Sequence, residues 1–275
     1  MKNKYFKIIT LCIICALFIV VKSCKSPDIL PDDSKYEQSQ QPLTRSGDLA
    51  WDYPVKPGME SWNSLKTEEE RIAILQIPES ILATLTPEEV VGLCITFPDF
   101  GHFTAWNTPQ ESFNVMLSRY NILRHLLSRE GVGKSLIEAY KDTNLTGFKT
   151  LPYSNEYWSL KLLYLELLLS QKEILQSLMP EEKLELVKEA AAKIIAKLSN
   201  EAFSGQPDIL FPFRIMVNIL DIERYPEFME FANKETVRQF INTGWVFEDV
   251  LPLQEIINAI NNYVYANQII IDLNN

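Results

Sequence analysis

Three threonines that start predicted helices constrain this chain more than any other feature. Each is followed three residues later by a glutamate, at positions 67–70, 86–89 and 108–111, and a proline follows two of them directly. The threonine hydroxyl can accept a hydrogen bond from the first helical turn while the glutamate reaches back, and proline suits the first helical position. Because these starts are 19 and 22 residues apart, they predict successive helices joined by short turns.

The rest of the chain carries helical patterning as well. Apolar side chains recur every three or four residues in predicted helices over residues 109–129, 134–141, 157–178, 181–199, 208–223, 227–232, 235–242 and 253–268. No apolar–polar alternation longer than a few residues indicates a strand. The sequence therefore predicts an all-α fold, an irregular array of antiparallel helical hairpins forming a superhelix or a bundle, without a β-sheet.

Residues 51–275 are expected to form a single all-helical domain with a weak internal boundary near 142–155, where glycine, proline and polar residues collect. Residues 157–178 are apolar on nearly every side, which predicts the central buried helix. Lys161 and Glu166 interrupt this run, and Lys161 is expected to be replaceable at little cost.

The amino-terminal residues have the organisation of a secretion signal. A basic head, an apolar run too short to stay in a membrane, and a small residue before a cysteine follow one another at residues 2–7, 8–21 and 23–24. The segment from Val21 to Cys24 resembles a bacterial lipobox, in which the cysteine receives a diacylglycerol and becomes the new amino terminus; Lys22 departs from the usual residue types. This resemblance implies a lipoprotein signal peptide at 1–23, a lipid on Cys24, and attachment to the outer membrane.

Residues 24–50 are poor in large apolar residues and rich in Pro, Ser, Gln and Asp, which predicts a flexible tether. Asp28, Asp32 and Asp33 only partly match a surface-display signal, so both the periplasmic and the cell-surface side stay open. Removing the signal would leave 22 basic against 36 acidic side chains. Because so acidic a chain is repelled by phosphate backbones and anionic lipid, nucleic acid is excluded as a partner, and the membrane is expected to be reached through the lipid on Cys24.

The sequence contains few patterns that are typical of catalytic or metal-binding sites. Residues 131–135, Gly-Val-Gly-Lys-Ser, resemble the end of a phosphate-binding loop but follow a predicted helix rather than a strand, which favours a plain turn. Cys94 lies in an apolar run, where a cysteine is usually inert, so a Cys–His site with His102 or His125 is disfavoured. The paired glutamates fall in first helical turns, where they complement the helix dipole. No catalytic residue, metal or cofactor is therefore assigned.

One predicted connection is unusually aromatic. Residues 97–107 contain three phenylalanines, a histidine and a tryptophan between two helices, whereas such connections are usually short and polar. Either the core buries these rings or a protein or peptide partner covers them, and burial is favoured for so apolar a loop. The candidate partner-binding residues are Phe100, His102, Phe103 and Trp106.

Three segments, WDYPVKPGMESW, IPESILATLTPEEVV and FNVMLSRYNILRHLLSREGVGKSL, resemble a family of secreted or lipid-anchored helical proteins of unknown function from Bacteroidales. The similarity covers roughly residues 51–140 and implies a helical fold and an envelope location, with no site residue to transfer. The sequence thus favours a non-catalytic binding or scaffold protein of the cell envelope. The alternative is an envelope hydrolase whose active site is assembled from acidic residues in the fold.

Overall fold

The structure is a computed structural model that describes residues 51–143, 145, 155–200, 203, 205–246 and 251–274. The predicted signal peptide, the tether and the lipidation site at Cys24 lie outside the described residues. Within the described ranges the fold is all-α with no strand, as the sequence predicts.

The helices follow one another in short steps along the chain. They are α1 (Glu60–Asn63), α2 (Glu68–Ile74), α3 (Glu79–Leu82), α4 (Pro87–Ile95), the 3-10 helix η1 (Phe100–Thr104), α5 (Pro109–Arg119), α6 (Asn121–Ser128), α7 (Val132–Lys141), α8 (Asn155–Leu169), α9 (Lys172–Ser177), α10 (Pro180–Leu198), α11 (Gln206–Ile222), α12 (Pro226–Met229), α13 (Glu235–Thr243) and α14 (Leu253–Asn274).

The described chain divides into two compact units. Unit A comprises residues 51–143 together with Leu160–Ser177, and unit B comprises Leu145–Ser159 together with the chain from Leu178 onward. One change of unit therefore falls inside the stretch 142–155, which the sequence marks as a weak boundary. A further change falls within α8, whose first residues belong to unit B.

The three threonine starts behave as local chemistry dictates. The hydroxyls of Thr67, Thr86 and Thr108 accept hydrogen bonds from the amides three residues later. At α2 and α4 the glutamate reaches back to the threonine amide and completes a capping box. At α5 only the hydrogen bond to the threonine hydroxyl forms.

In unit A, α4 packs against α6 and α7, α5 packs against η1 and α6, and α9 contacts α6 and α7.

The continuous helix predicted over 109–129 is wrong, because the chain breaks at Tyr120. Tyr120 has an extended backbone, with φ −110° and ψ 122°, between α5 and α6. The side-chain amide of Asn121 accepts from the Ile77 amide at 3.1 Å and donates to the Ile77 carbonyl at 2.7 Å. The Gln76 amide donates in turn to the Arg119 carbonyl at 3.1 Å. The Gln76 side chain also accepts from the Asn121 backbone amide at 3.2 Å, so backbone groups on both sides of the break are hydrogen-bonded, which offsets the lost helical continuity.

Residues 157–178 likewise form two helices rather than one. After α8, the side chains of Ser170 and Gln171 both donate to the Leu167 carbonyl, at 2.9 Å and 2.7 Å, which satisfies that group at the helix end. The leucines of α8 from Leu162 onward are buried, and so are the two charged residues expected to interrupt its apolar surface. Glu166 is fully buried and accepts a hydrogen bond from the Tyr140 hydroxyl at 2.8 Å.

Unit B is organised around the pairing of α10 with α11, and α14 packs against both. Buried cations find oxygen partners here: Lys183 pairs with Glu223 at 2.5 Å, Lys197 donates to the Asp208 carbonyl at 3.0 Å, and Arg214 donates to the Ile241 carbonyl at 3.1 Å. Gly244 ends α13 with φ +74°, and a β-carbon there would stand 3.0 Å from the Arg214 guanidinium. Glycine is therefore required by both its backbone conformation and the close guanidinium.

Candidate functional site

The aromatic connection between α4 and α5 is built from three local features. Phe97 follows the end of α4, the 3-10 helix η1 occupies residues Phe100–Thr104, and Thr108 caps α5. The amide of Phe100 donates to the Phe97 carbonyl at 3.2 Å, which tightens the turn that contains Pro98. The connection is therefore ordered by its own hydrogen bonds and packs on α5.

The phenylalanines of this connection belong to the interior of unit A. Phe97, Phe100 and Phe103 are 0%, 7% and 4% exposed. The rings of Phe100 and Phe103 lie 5.8 Å and 5.7 Å from the Tyr164 ring of α8. Burial of these rings is the outcome that the sequence favours for the loop. Of the four candidate partner-binding residues, Phe100 and Phe103 are thus covered by the protein's own α8.

His102 and Trp106 are half-buried instead, and their side chains reach the surface of unit A. Their rings lie 6.2 Å apart. The Arg119 guanidinium stacks over the Trp106 ring at 5.3 Å and pairs with Glu68 at 2.7 Å. Trp106 therefore has a histidine on one side and an arginine on another. An aromatic face with cationic neighbours is suited to contact a partner through stacking and charge together.

Asp99 organises the polar part of this site. One of its carboxylate oxygens, Oδ2, accepts a hydrogen bond from His102 Nδ1 at 2.5 Å and another from the Tyr120 hydroxyl at 2.6 Å. Because a carboxylate only accepts, Nδ1 of His102 carries a proton and the ring is held with Nε2 on the opposite side. The Asp99 side chain is 13% exposed, whereas the His102 side chain is 40% exposed. The ring is thus anchored from within and open to solvent.

The same contacts shift the acid–base properties of the site. The pKa of His102 is raised above its usual value, mainly by the hydrogen bond to Asp99; partial burial and the nearby Arg119 charge oppose this rise. Burial, reinforced by the bond to Asp99, also raises the pKa of the Tyr120 hydroxyl. The site therefore presents an imidazolium more readily than a free histidine would, above a phenol that stays protonated.

Other candidate groups are not brought together. The Cys94 thiol is fully buried, hydrogen-bonds the Ile122 carbonyl at 3.8 Å, and has its pKa raised by burial. His125 Nε2 lies 3.8 Å from a Glu79 carboxylate oxygen. Each histidine therefore has a carboxylate beside it rather than the thiol, and a Cys–His nucleophile is not formed.

Only Gly131 of the glycine-rich segment 131–135 lies between two helices, because residues 132–135 form the first turn of α7 rather than the plain turn that the sequence favours. Gly131 caps α7 with φ +85°, and the Ser135 hydroxyl bonds a carboxylate oxygen of Glu88 at 3.2 Å. An acidic side chain at this position opposes phosphate binding. The paired glutamates of the predicted helix starts also have structural roles: Glu70 and Glu89 bond the amides of Thr67 and Thr86, which completes the caps.

Three residues of the site were not singled out by the sequence: Tyr120, Arg119 and Tyr164. Tyr120 lies in the middle of a predicted helix, and Arg119 and Tyr164 look like ordinary surface and core residues of helices. Their roles depend on contacts between separate helical elements, 21 residues apart for Tyr120 and Asp99 and 13 for Arg119 and Trp106. Nothing local to them carries a signal for those contacts.

A search among the described residues finds no cluster of three or more histidine, cysteine or acidic side chains able to hold a metal ion. None of the helices in that part of the chain is long and apolar enough to span a membrane. Comparison of the chain with protein-family models, with curated proteins and with solved structures found no match.

Proposed function

We propose that this chain is a lipid-anchored protein of the cell envelope that acts as a non-catalytic binding or scaffold protein. The observation that carries the binding part is the half-exposed pair His102 and Trp106, held on an ordered connection by Asp99 and flanked by Arg119. The lipobox-like segment ending at Cys24 and the resemblance of residues 51–140 to Bacteroidales envelope proteins support the location.

The anchor is tested by replacing Cys24 with serine in cells that make the full chain. Because only a thiol accepts the diacylglycerol, the Cys24→Ser protein is expected to lose lipid and to remain uncleaved or leave the membrane fraction. Intact-mass spectrometry of the wild-type protein decides the matter. A mature wild-type protein without acyl mass would contradict the lipoprotein assignment.

The binding surface is tested with a photo-crosslinking amino acid placed at position 106 in one variant and at the exposed Glu230 in a control. A discrete crosslinked species is expected at position 106, and the further change Arg119→Ala should weaken it. Identical crosslinking patterns at 106 and 230 would remove residues 97–107 as a recognition surface.

An envelope hydrolase is the second candidate, and the Asp99–His102 pair is the observation that favours it. A histidine whose Nδ1 is held by a carboxylate can act through Nε2 as a general base. If this is the function, hydrolysis of a simple ester such as p-nitrophenyl acetate by the wild-type chain should exceed that of the His102→Gln variant severalfold. Equal rates would exclude His102 as the base.

A further inference from the structure

Helix α11 contains a proline well inside its length. Pro212 is the seventh residue of α11, which continues without interruption from Gln206 to Ile222. A proline has no backbone amide, so the hydrogen bond that position 212 would donate to the Asp208 carbonyl, four residues earlier, does not exist. The proline ring also crowds that carbonyl. Residues 208–220 are all buried, so the carbonyl is removed from bulk water and needs another donor.

A buried lysine supplies a donor from the neighbouring helix. Nζ of Lys197, in the last turn of α10, donates to the Asp208 carbonyl at 3.0 Å. Lys197 is 0% exposed and follows Ala190 and Ile194 on the buried face of α10. A charge at such a position costs free energy unless it is paired and hydrogen-bonded, and an apolar side chain would pack there as well. The burial of Lys197 therefore calls for a reason specific to its ammonium group.

The carboxylate of Asp208 is hydrogen-bonded elsewhere. Its Oδ2 accepts from the Gly205 amide at 2.9 Å, which caps α11, and its Oδ1 accepts from the Ser159 hydroxyl of α8 at 3.0 Å. Lys197 thus contacts the backbone carbonyl, which is the group that Pro212 deprives of its helical donor. All of these residues belong to unit B.

We propose that Lys197 and Pro212 form a coupled pair, in which the lysine ammonium takes the place of the proline's missing amide at Asp208 and joins the last turn of α10 to the first turn of α11. The ammonium satisfies the carbonyl, and the carbonyl gives the buried charge an oxygen partner. Each residue therefore explains why the core tolerates the other. The pair does not depend on the surface at residues 97–107, which lies in unit A.

A double-mutant cycle in the full-length protein tests the coupling. Pro212→Ala restores an amide four residues after Asp208, and Lys197→Met removes the ammonium while keeping a long side chain. Lys197→Met should lower the thermal midpoint by roughly 3–12 °C more in the wild-type background than in the Pro212→Ala background. The cost of burying the charge is removed in both backgrounds, so it largely cancels in this comparison. Equal losses in the two backgrounds would overturn the proposal.

Two matched variants separate this coupling from a general effect of the proline. Lys183 is also a buried lysine of α10, but it pairs with Glu223 at the far end of α11, so Lys183→Met should cost the same with and without Pro212→Ala. Pro207 lies in the first turn of α11, where an amide has no helical acceptor, so Pro207→Ala should not reduce the cost of Lys197→Met. A reduced cost in either control would contradict the pairing.

Carbon NMR observes the hydrogen bond itself. The carbonyl carbon of Asp208 should shift upfield in Lys197→Met, because accepting a hydrogen bond deshields a carbonyl, and should return toward its wild-type position when Pro212→Ala is added. If Lys197→Met does not fold alone, Pro212→Ala should restore folding and Pro207→Ala should not. An unmoved Asp208 signal, or a failure to fold that Pro212→Ala does not rescue, would overturn the proposal.

Discussion

The side-chain amide of Asn121 hydrogen-bonds both backbone groups of Ile77, 44 residues earlier in the chain. The side chain of Asn121, at the start of α6, thus pairs with both the amide and the carbonyl of Ile77, as a neighbouring backbone would. Without it, the amide and the carbonyl of Ile77 would be buried and unpaired, since Ile77 is 1% exposed.

Asn121→Ala is therefore expected to destabilise the fold strongly. Each buried group left unpaired costs about 1–3 kcal/mol, and this variant leaves two. Asn114→Ala is the control, because Asn114 is exposed on α5 and makes only a side-chain contact with Gln110. Chemical denaturation measures both variants, and equal free energies of unfolding would show that the Asn121 contacts contribute nothing.

Phe103 and Trp106 are expected to respond differently to truncation. Phe103→Ala empties a buried site against Tyr164 and should cost about 3–5 kcal/mol in the free energy of unfolding. Trp106→Ala should cost clearly less, because the Trp106 ring is half-exposed. Urea unfolding of the two single variants makes the comparison. A loss for Trp106→Ala as large as that for Phe103→Ala would place both rings in the core and leave no aromatic surface for a partner.

The Asp99–His102 pair should make stability depend on pH. The pKa of His102 is raised in the folded protein, so its contribution is fully present below the unfolded value of about 6.5 and is lost as pH rises through the folded value. The stability advantage of the wild type over His102→Gln is therefore expected to be largest in mild acid and to shrink toward alkaline pH. Thermal midpoints across pH 5–9 measure this difference.

Asp99→Asn is the matched background for that experiment. Without the carboxylate, the main cause of the raised pKa of His102 is gone. The pH-dependent difference between histidine and glutamine at position 102 should then largely disappear. If it persists unchanged in the Asp99→Asn background, the effect does not come from this pair.

Lys161 should produce the opposite trend. Burial lowers its pKa to about 8 from an unfolded value near 10.5, and its ammonium lies 5.6 Å above the Phe100 ring. The cost of burying the charge is present below pH 8 and is relieved as pH rises from about 8 toward 10.5. The wild type should therefore gain stability relative to Lys161→Met across that window. Lys172→Met, at an exposed position, should show no such gain in thermal midpoints.

Local signals predicted the fold well, and they did so for a physical reason. The capping at Thr67, Thr86 and Thr108 depends on residues three positions away, so the sequence contains everything it needs. The break at Tyr120 depends on contacts with Gln76 and Ile77, more than 40 residues earlier, so the local sequence does not predict it. The burial of Lys161 was missed for a similar reason. A lysine usually marks the solvent side of a helix, and only tertiary packing can override that preference.

The candidate site, too, was predicted in part from local sequence and in part required the tertiary structure. The aromatic composition of residues 97–107 identified the connection as unusual. Some of its aromatic residues lie in the core and others lie at the surface. Phe100 and Phe103 are buried because α8 supplies Tyr164, whereas Trp106 lies under the Arg119 guanidinium of α5 and His102 lies beside Trp106, half-exposed. The bond between Asp99 and Tyr120 requires the fold, because the two residues are 21 positions apart in the sequence.

The buried thiol of Cys94 can report how often the core of unit A opens transiently. With no exposed surface and a pKa raised by burial, the thiol can be alkylated only while the helices around it are transiently apart. Its modification rate in native buffer, followed by mass spectrometry of the peptide that contains it, therefore measures how often α4 separates from α6. Asn121→Ala, which removes the contacts at the start of α6, should accelerate this reaction relative to the wild type.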